Sequence, residues 1–95
     1  MAIPTTTGLT TSQTVTTSRA KVPATALASR QLVTIQNLGP DAVYIGDSTV
    51  TAATAGGKGG VKIVTLGDKE FVIGPGIDLW GISDGSSDVR IYEEA

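Results

Sequence analysis

Apolar residues in this chain recur at every second position, in short runs separated by glycine, proline, asparagine and aspartate. Val33 and Ile35, Val43 and Ile45, Phe71 and Ile73, and Val89 and Ile91 are such pairs. Side chains two apart on a strand share a face, whereas a helix would turn them apart. Many of the turn signals return at intervals of roughly 8–12 residues, the spacing of sandwiches and barrels. The pattern predicts strands near 14–22, 31–37, 42–47, 61–66, 69–73, 77–83 and 88–93, with those eight residues as the first core positions. Composition agrees: fourteen Thr, nine Val and eight Ile with twelve Gly favour pleated strands and turns and exclude an all-α bundle. The fold class expected is all-β, a small antiparallel β-sandwich or jelly-roll-like barrel with an extended N-terminal arm.

The punctuation suggests connections. Asn37, Gly39, Pro40 and Asp41 lie between two apolar runs, which predicts a hairpin joining 31–37 to 42–47. Gly67-Asp68 and Asp84-Gly85 mark further strand pairs, and Gly74-Pro75-Gly76 turns the chain, so the second half reads as a meander. Residues 48–60 hold four glycines and mostly small side chains, a loop composition. Residues 23–30 form a connector with room for one helical turn, begun by Pro23. Residues 1–13 carry no charge and only three large apolar side chains, Met1, Ile3 and Leu9. They read as an arm that cannot bury itself, dispensable for the fold, with a single β domain over 14–95.

A 9.7 kDa chain buries only about 60–65% of its unfolded surface, so the core is thin, and no cysteine is present to staple it. Packing on copies of itself or on a larger partner would supply the missing burial. Charge is polarised. Arg19, Lys21 and Arg30 give residues 1–30 a net +3, while nine acids against four bases give the remainder −5, which sums to the overall −2. A positive front would suit the acidic face of a neighbouring copy, the alternative being a solvated tail. An acidic body with no Lys/Arg cluster disfavours nucleic acid as a partner. No segment approaches the roughly 20 apolar residues of a spanning helix, and Met1-Ala2-Ile3-Pro4 lacks the basic and apolar regions of a signal peptide, so synthesis in a cytoplasm, with no membrane partner, is expected.

The absence of Cys and His removes thiol catalysis, zinc fingers and the commonest general base. Gly56-Gly57-Lys58-Gly59-Gly60 suggests a phosphate loop, but no Ser or Thr follows Lys58 and Ala52 stands where the first glycine belongs. Asp84 and Asp88, with Asp78, offer hard oxygen ligands without the alternation of a calcium loop, and Asp84-Gly85 is ordinary turn chemistry. The carboxylates fall mostly in turns, and a Ser or Thr nucleophile would find no histidine base. No enzyme activity, cofactor or metal is therefore expected. Trp80 and Tyr44, with Phe71 and Tyr92, suit either burial in a fold or subunit interface, or stacking against sugar rings.

The run from Arg30 to Val50, through Thr34-Ile35-Gln36-Asn37-Leu38-Gly39-Pro40 and Val43-Tyr44-Ile45-Gly46, resembles small β-sandwich proteins of tailed-bacteriophage heads. Val22-Pro23-Ala24-Thr25-Ala26-Leu27 and Ser87-Asp88-Val89-Arg90-Ile91-Tyr92-Glu93 are similar to the same group, and the three segments cover 34 of the 95 residues. The resemblance implies a structural virion protein. It would be a capsid decoration or cement protein made in the host cytoplasm and bound to the major capsid protein and to copies of itself, often as trimers. The contact residues expected on this reading are Ile3, Pro4, Leu9, Val15, Arg19 and Lys21. A carbohydrate-binding or tail and fibre attachment module, with Trp80 and Tyr44 as stacking residues, is the alternative.

Overall fold

The computed structural model describes residues 7–52 and 59–95, and the described residues form eight strands and no helix. These are β1 (Gly8–Val15), β2 (Ala20–Lys21), β3 (Leu32–Pro40), β4 (Val43–Gly46), β5 (Val61–Ile63), β6 (Asp68–Phe71), β7 (Trp80–Ser83) and β8 (Ser87–Glu94). They build two four-stranded antiparallel sheets, β1-β8-β3-β6 and β2-β7-β4-β5. The pairs β1 with β8, β2 with β7, β3 with β6 and β4 with β5 are nested about the middle of the chain. A ribbon of nested pairs wrapped into two sheets is a jelly roll.

This order corrects two expectations. Residues 31–37 and 42–47 do not form a hairpin: β3 lies in one sheet between β8 and β6, and β4 lies in the other between β7 and β5. The second half is not a meander, because β5, β6, β7 and β8 alternate between sheets. Asn37 supplies the physical reason at the first corner. It is fully buried, where its side-chain amide donates to the carbonyls of Asp41 and Ile63 at 2.8 and 2.9 Å and its Oδ1 accepts from Gly39 N–H at 2.8 Å. Its own backbone N–H and C=O pair with Gly67 and Leu66. One residue thus satisfies backbone groups of both sheets while the β3 ladder shifts register between Asn37 and Gly39. Gly39 has φ +91°, and a Cβ there would lie 2.6 Å from Thr65 Cγ2, so glycine is required on both counts.

The expected arm and strand boundaries also change. Residues 8–13 belong to β1, which pairs with β8 in continuous register from Gly8↔Glu94 to Val15↔Ser87. They are therefore part of the sheet, and removing residues 1–13 would strip six of the eight residues of this ladder. The strand expected over 14–22 breaks into β1 and β2, since the chain crosses between sheets with Thr16 C=O bound by Ser83 N–H at 2.8 Å. The connector has no helical turn; it runs irregularly to a turn in which Arg30 N–H reaches Leu27 C=O and Ser29 adopts φ 58°.

Of the eight expected core residues, Val33, Ile35, Val43, Ile45, Val89 and Ile91 are buried between the sheets, and Phe71 and Ile73 pack half-buried against them. Val15, Val22, Ile63 and Leu79 complete the layer. Each contributes roughly 1.5–3 kcal/mol by removing its side chain from water. Gly81 faces inward from β7, where a Cβ would lie 2.8 Å from Val22 Cγ2, so the glycine lets β2 and β7 close on the core.

One end of this apolar layer is closed by an ion pair. Arg30 and Glu93 side chains are both 0% exposed, with Nη1 3.0 Å from Oε2. Arg30 Nη2 donates to Gly74 C=O at 3.2 Å and Ile77 C=O at 2.7 Å, and Glu93 Oε2 accepts from Leu27 N–H at 3.0 Å. Glu93→Ala would strand the guanidinium and is expected to destabilise by about 3–5 kcal/mol, a fall in Tm of roughly 15–25 °C. Arg30→Met/Glu93→Leu should recover only part of this, because three backbone groups lose their partners. Thermal melts of the three proteins check the order, and a Glu93→Ala variant melting within about 2 °C of wild type would contradict it.

Candidate functional site

The expected site residues separate into three groups. Ile3 and Pro4 lie outside the described residues, as do Gly56, Gly57 and Lys58 of the glycine-rich stretch. Val15 is buried in the core, so it is corrected from a contact residue to a packing residue. Leu9, Arg19 and Lys21 are exposed, with Lys21 Nζ 3.4 Å from Asp78 Oδ2.

Trp80 and Tyr44 lie on the outer face of the β2-β7-β4-β5 sheet, whereas Phe71 and Tyr92 belong to the other sheet. Leu79 and Gly81 point inward, which sends Trp80 and Ile82 outward. Tyr44 stands beside Ile82 across the ladder, and Val50 and Ala52 from the loop after β4 cover this second apolar cluster. Tyr44 is only 2% exposed and donates its hydroxyl to Asp84 Oδ2 at 3.1 Å. It therefore cannot serve as a sugar-stacking platform. Trp80 remains half-buried in an open groove of about 570 Å³, flanked by Thr17, Ser18 and Arg19 on one side and Ser48, Thr51 and Ala52 on the other.

A second groove, of about 450 Å³, lies between the inward residues of β1 and the connector, with Leu9, Thr11 and Gln13 on one wall and Pro23 to Ala28 on the other. Its lining carries no charge. Gln13 spans it, donating to Lys21 C=O at 2.7 Å and accepting from Ala24 N–H at 3.1 Å. Beside this groove runs the outer edge of β1. Among the described residues β1 pairs with β8 alone, so its other edge is open over eight residues, Gly8–Val15, none charged and none proline. The opposite edge of the same sheet, β6, places Asp68, Lys69 and Glu70 in four residues. Charge blunts an edge against further pairing; its absence leaves a template for another strand.

The acids considered as metal ligands are engaged separately. Asp84 holds Tyr44, Asp88 pairs with Arg90 at 2.8 Å, and Asp78 pairs with Lys21. Among the described residues no group of three or more His, Cys, Asp or Glu is placed to hold a metal ion, and no helix is long and apolar enough to cross a membrane. Sequence reasoning assigned residues 8–13 to an arm and so missed the edge. The available signal was the eight-residue uncharged Thr/Ser run with Leu9 and Val15 at odd positions. Comparison with protein-family models, curated proteins and solved structures finds no match for this chain.

Burial, reinforced by the hydrogen bond to Asp84 and that carboxylate's charge, pushes the Tyr44 phenol above its ordinary value of 10.0. An unfolded phenol ionises near pH 10 while the folded one keeps its proton, so this stabilisation is complete below that pH and is lost as pH rises beyond it. Tyr44→Phe is expected to lower Tm at neutral pH and to flatten its decline between about pH 9 and 11. Parallel declines in the two proteins would contradict this assignment.

Proposed function

We propose that the chain is a non-catalytic structural protein of a tailed-phage virion, a decoration or cement protein of the capsid surface. On this reading its partners are the major capsid protein and copies of itself. The observation that carries the reading is the open, uncharged β1 edge on a domain too small to hold a deep core. A sheet blunted by charge at β6 and bare at β1 suits a protein completed by another chain. The resemblance to phage-head proteins agrees with it. Its three segments adjoin in space: β3 and β8 are paired, and the connector is bonded to Glu93 through Leu27 N–H. A second reading, a glycan-attachment module, is favoured by one observation, the Trp80 groove with Arg19 and hydroxyl groups around the indole.

Cosedimentation with capsids assembled from the same genome's major capsid protein tests the first reading. The wild-type chain is expected to pellet with the capsids and to saturate. Thr10→Lys/Ser12→Lys, which charges the β1 edge at two exposed positions, should weaken that binding at least about tenfold. A chain that stays in the supernatant, yet shifts its tryptophan emission on titration with saccharides, would replace the first reading with the second.

A further inference from the structure

We infer that the Trp80 groove binds an acidic saccharide, one whose ring carries a carboxylate, with the indole as stacking platform and Arg19 as the anion's partner. The inference rests on the glycan reading of this groove and adds the class of sugar. It does not compete with attachment through β1, which belongs to the other sheet.

The groove is shaped before any ligand arrives. Its floor is the outer face of β7, where Trp80 stands half-buried. Across the ladder from Trp80 is Gly46, where a Cβ would lie 3.1 Å from Val50 Cγ2. The missing side chain lets Val50 settle against the sheet, so the loop after β4 forms a wall beside the indole and leaves part of the ring open. That wall is fixed from within. Val50 N–H donates to Asp47 C=O at 3.1 Å, and Asp47 Oδ1 accepts from the Thr49 N–H and hydroxyl at 2.8 and 2.6 Å. A preformed site loses less binding free energy to ordering.

The uncharged polar groups select a sugar. The hydroxyls of Thr17 and Ser18 on one wall and Ser48 on the other are exposed and make no hydrogen bond among the described residues. An apolar ligand would take them out of water without partners. A sugar ring sets C–H groups against an aromatic face and carries hydroxyls at its rim, so it satisfies the indole and the walls together.

Charge selects the acid. Arg19 is the one charged residue of the described lining, and it has neither a hydrogen bond nor an ion pair among the described residues. Its charged neighbours are engaged: Lys21, opposite Trp80 in the ladder, pairs with Asp78 at 3.4 Å, and Asp84 accepts from Tyr44. The groove thus keeps an uncompensated guanidinium, whose planar fork matches a carboxylate through two parallel hydrogen bonds. A neutral sugar would leave that group in water.

Trp80 is the single tryptophan of the chain, so its emission reports on the groove directly. The full chain is titrated with trisaccharides of galacturonic and of mannuronic acid, with their neutral methyl esters and with triglutamate. At least one acidic trisaccharide is expected to shift the emission saturably and to bind about tenfold more tightly than its ester, a margin lost in about 0.5 M salt. Arg19→Gln removes no contact of the fold, so it should keep the wild-type Tm while lowering the acid's affinity to that of the ester. Trp80→Leu, followed by calorimetry, should bind neither. Equal affinities for acid and ester, or an Arg19→Gln variant that binds as wild type does, would overturn the inference and leave the glycan reading standing. Triglutamate binding as tightly as the acidic sugars would overturn the saccharide in favour of an acidic peptide. No response to any sugar up to about 10 mM would overturn the inference and the glycan reading together.

Discussion

The Arg30–Glu93 pair is the contact on which the closed end of the sandwich depends. Glu93 belongs to β8, paired on both sides, and Arg30 sits just before β3, so the pair fixes where two central strands begin and end. Its bonds reach the connector at Leu27 and the 74–77 turn at Gly74 and Ile77. These backbone groups sit at an end of the sheets where no ladder can satisfy them. An apolar plug of equal volume would fill the space and leave them bare. The pair is not optimised for stability alone, since Arg30 Nε and Glu93 Oε1 are buried without partners among the described residues, each costing of the order of 1–3 kcal/mol. Its stronger effect is to specify which crossover docks where.

That effect marks the limit of what periodicity can reveal. The i,i+2 pairs identified inward faces, because Val33, Ile35, Val43, Ile45, Val89 and Ile91 all reached the core. An alternating pattern says which face is apolar and nothing about which sheet the strand joins. The turn at 37–41 has the residues of a hairpin loop, yet Asn37 spends its amide on carbonyls of the crossing chain and sends the two strands into different sheets. The charged residues Arg30 and Glu93 gave no local sign of burial, for each becomes inward only when the other does. Trp80 was ambiguous for a different reason: Ile77-Asp78-Leu79-Trp80-Gly81-Ile82 has apolar residues at both parities, and the loop after β4 covers the outward set.

The candidate surfaces follow from the same topology. In a nested ribbon the first strand has one partner in sequence, the last, and becomes an edge unless another chain adds to it. Tyr44 shows how the opposite outcome arises, since the loop after β4 folds over the outer face and turns an outward aromatic into a second core. No described segment does this for the β1 edge. Tyr44, which the sequence left open between burial and sugar stacking, is therefore structural, and residues 8–13, expected as part of an arm, form a sheet strand with an open edge.

How β1 is held explains why it gains most from a neighbour. Of its four inward residues only Val15 is fully buried, and Leu9 is 40% exposed. The strand is retained by its eight-residue ladder to β8 and by the bonds of Gln13 to Lys21 in β2 and to Ala24 in the connector, more than by apolar burial. Ladder hydrogen bonds to a solvated edge contribute modestly, because the unpaired side exchanges with water at little net gain. A second strand on that side doubles the pairing of β1 and shields Leu9 and the uncharged groove without requiring any residue of the core to move. For a domain with a single thin apolar layer, adding burial at an edge is physically easier than adding it within, which is why the absence of charge along β1 carries more functional meaning than any one side chain on it.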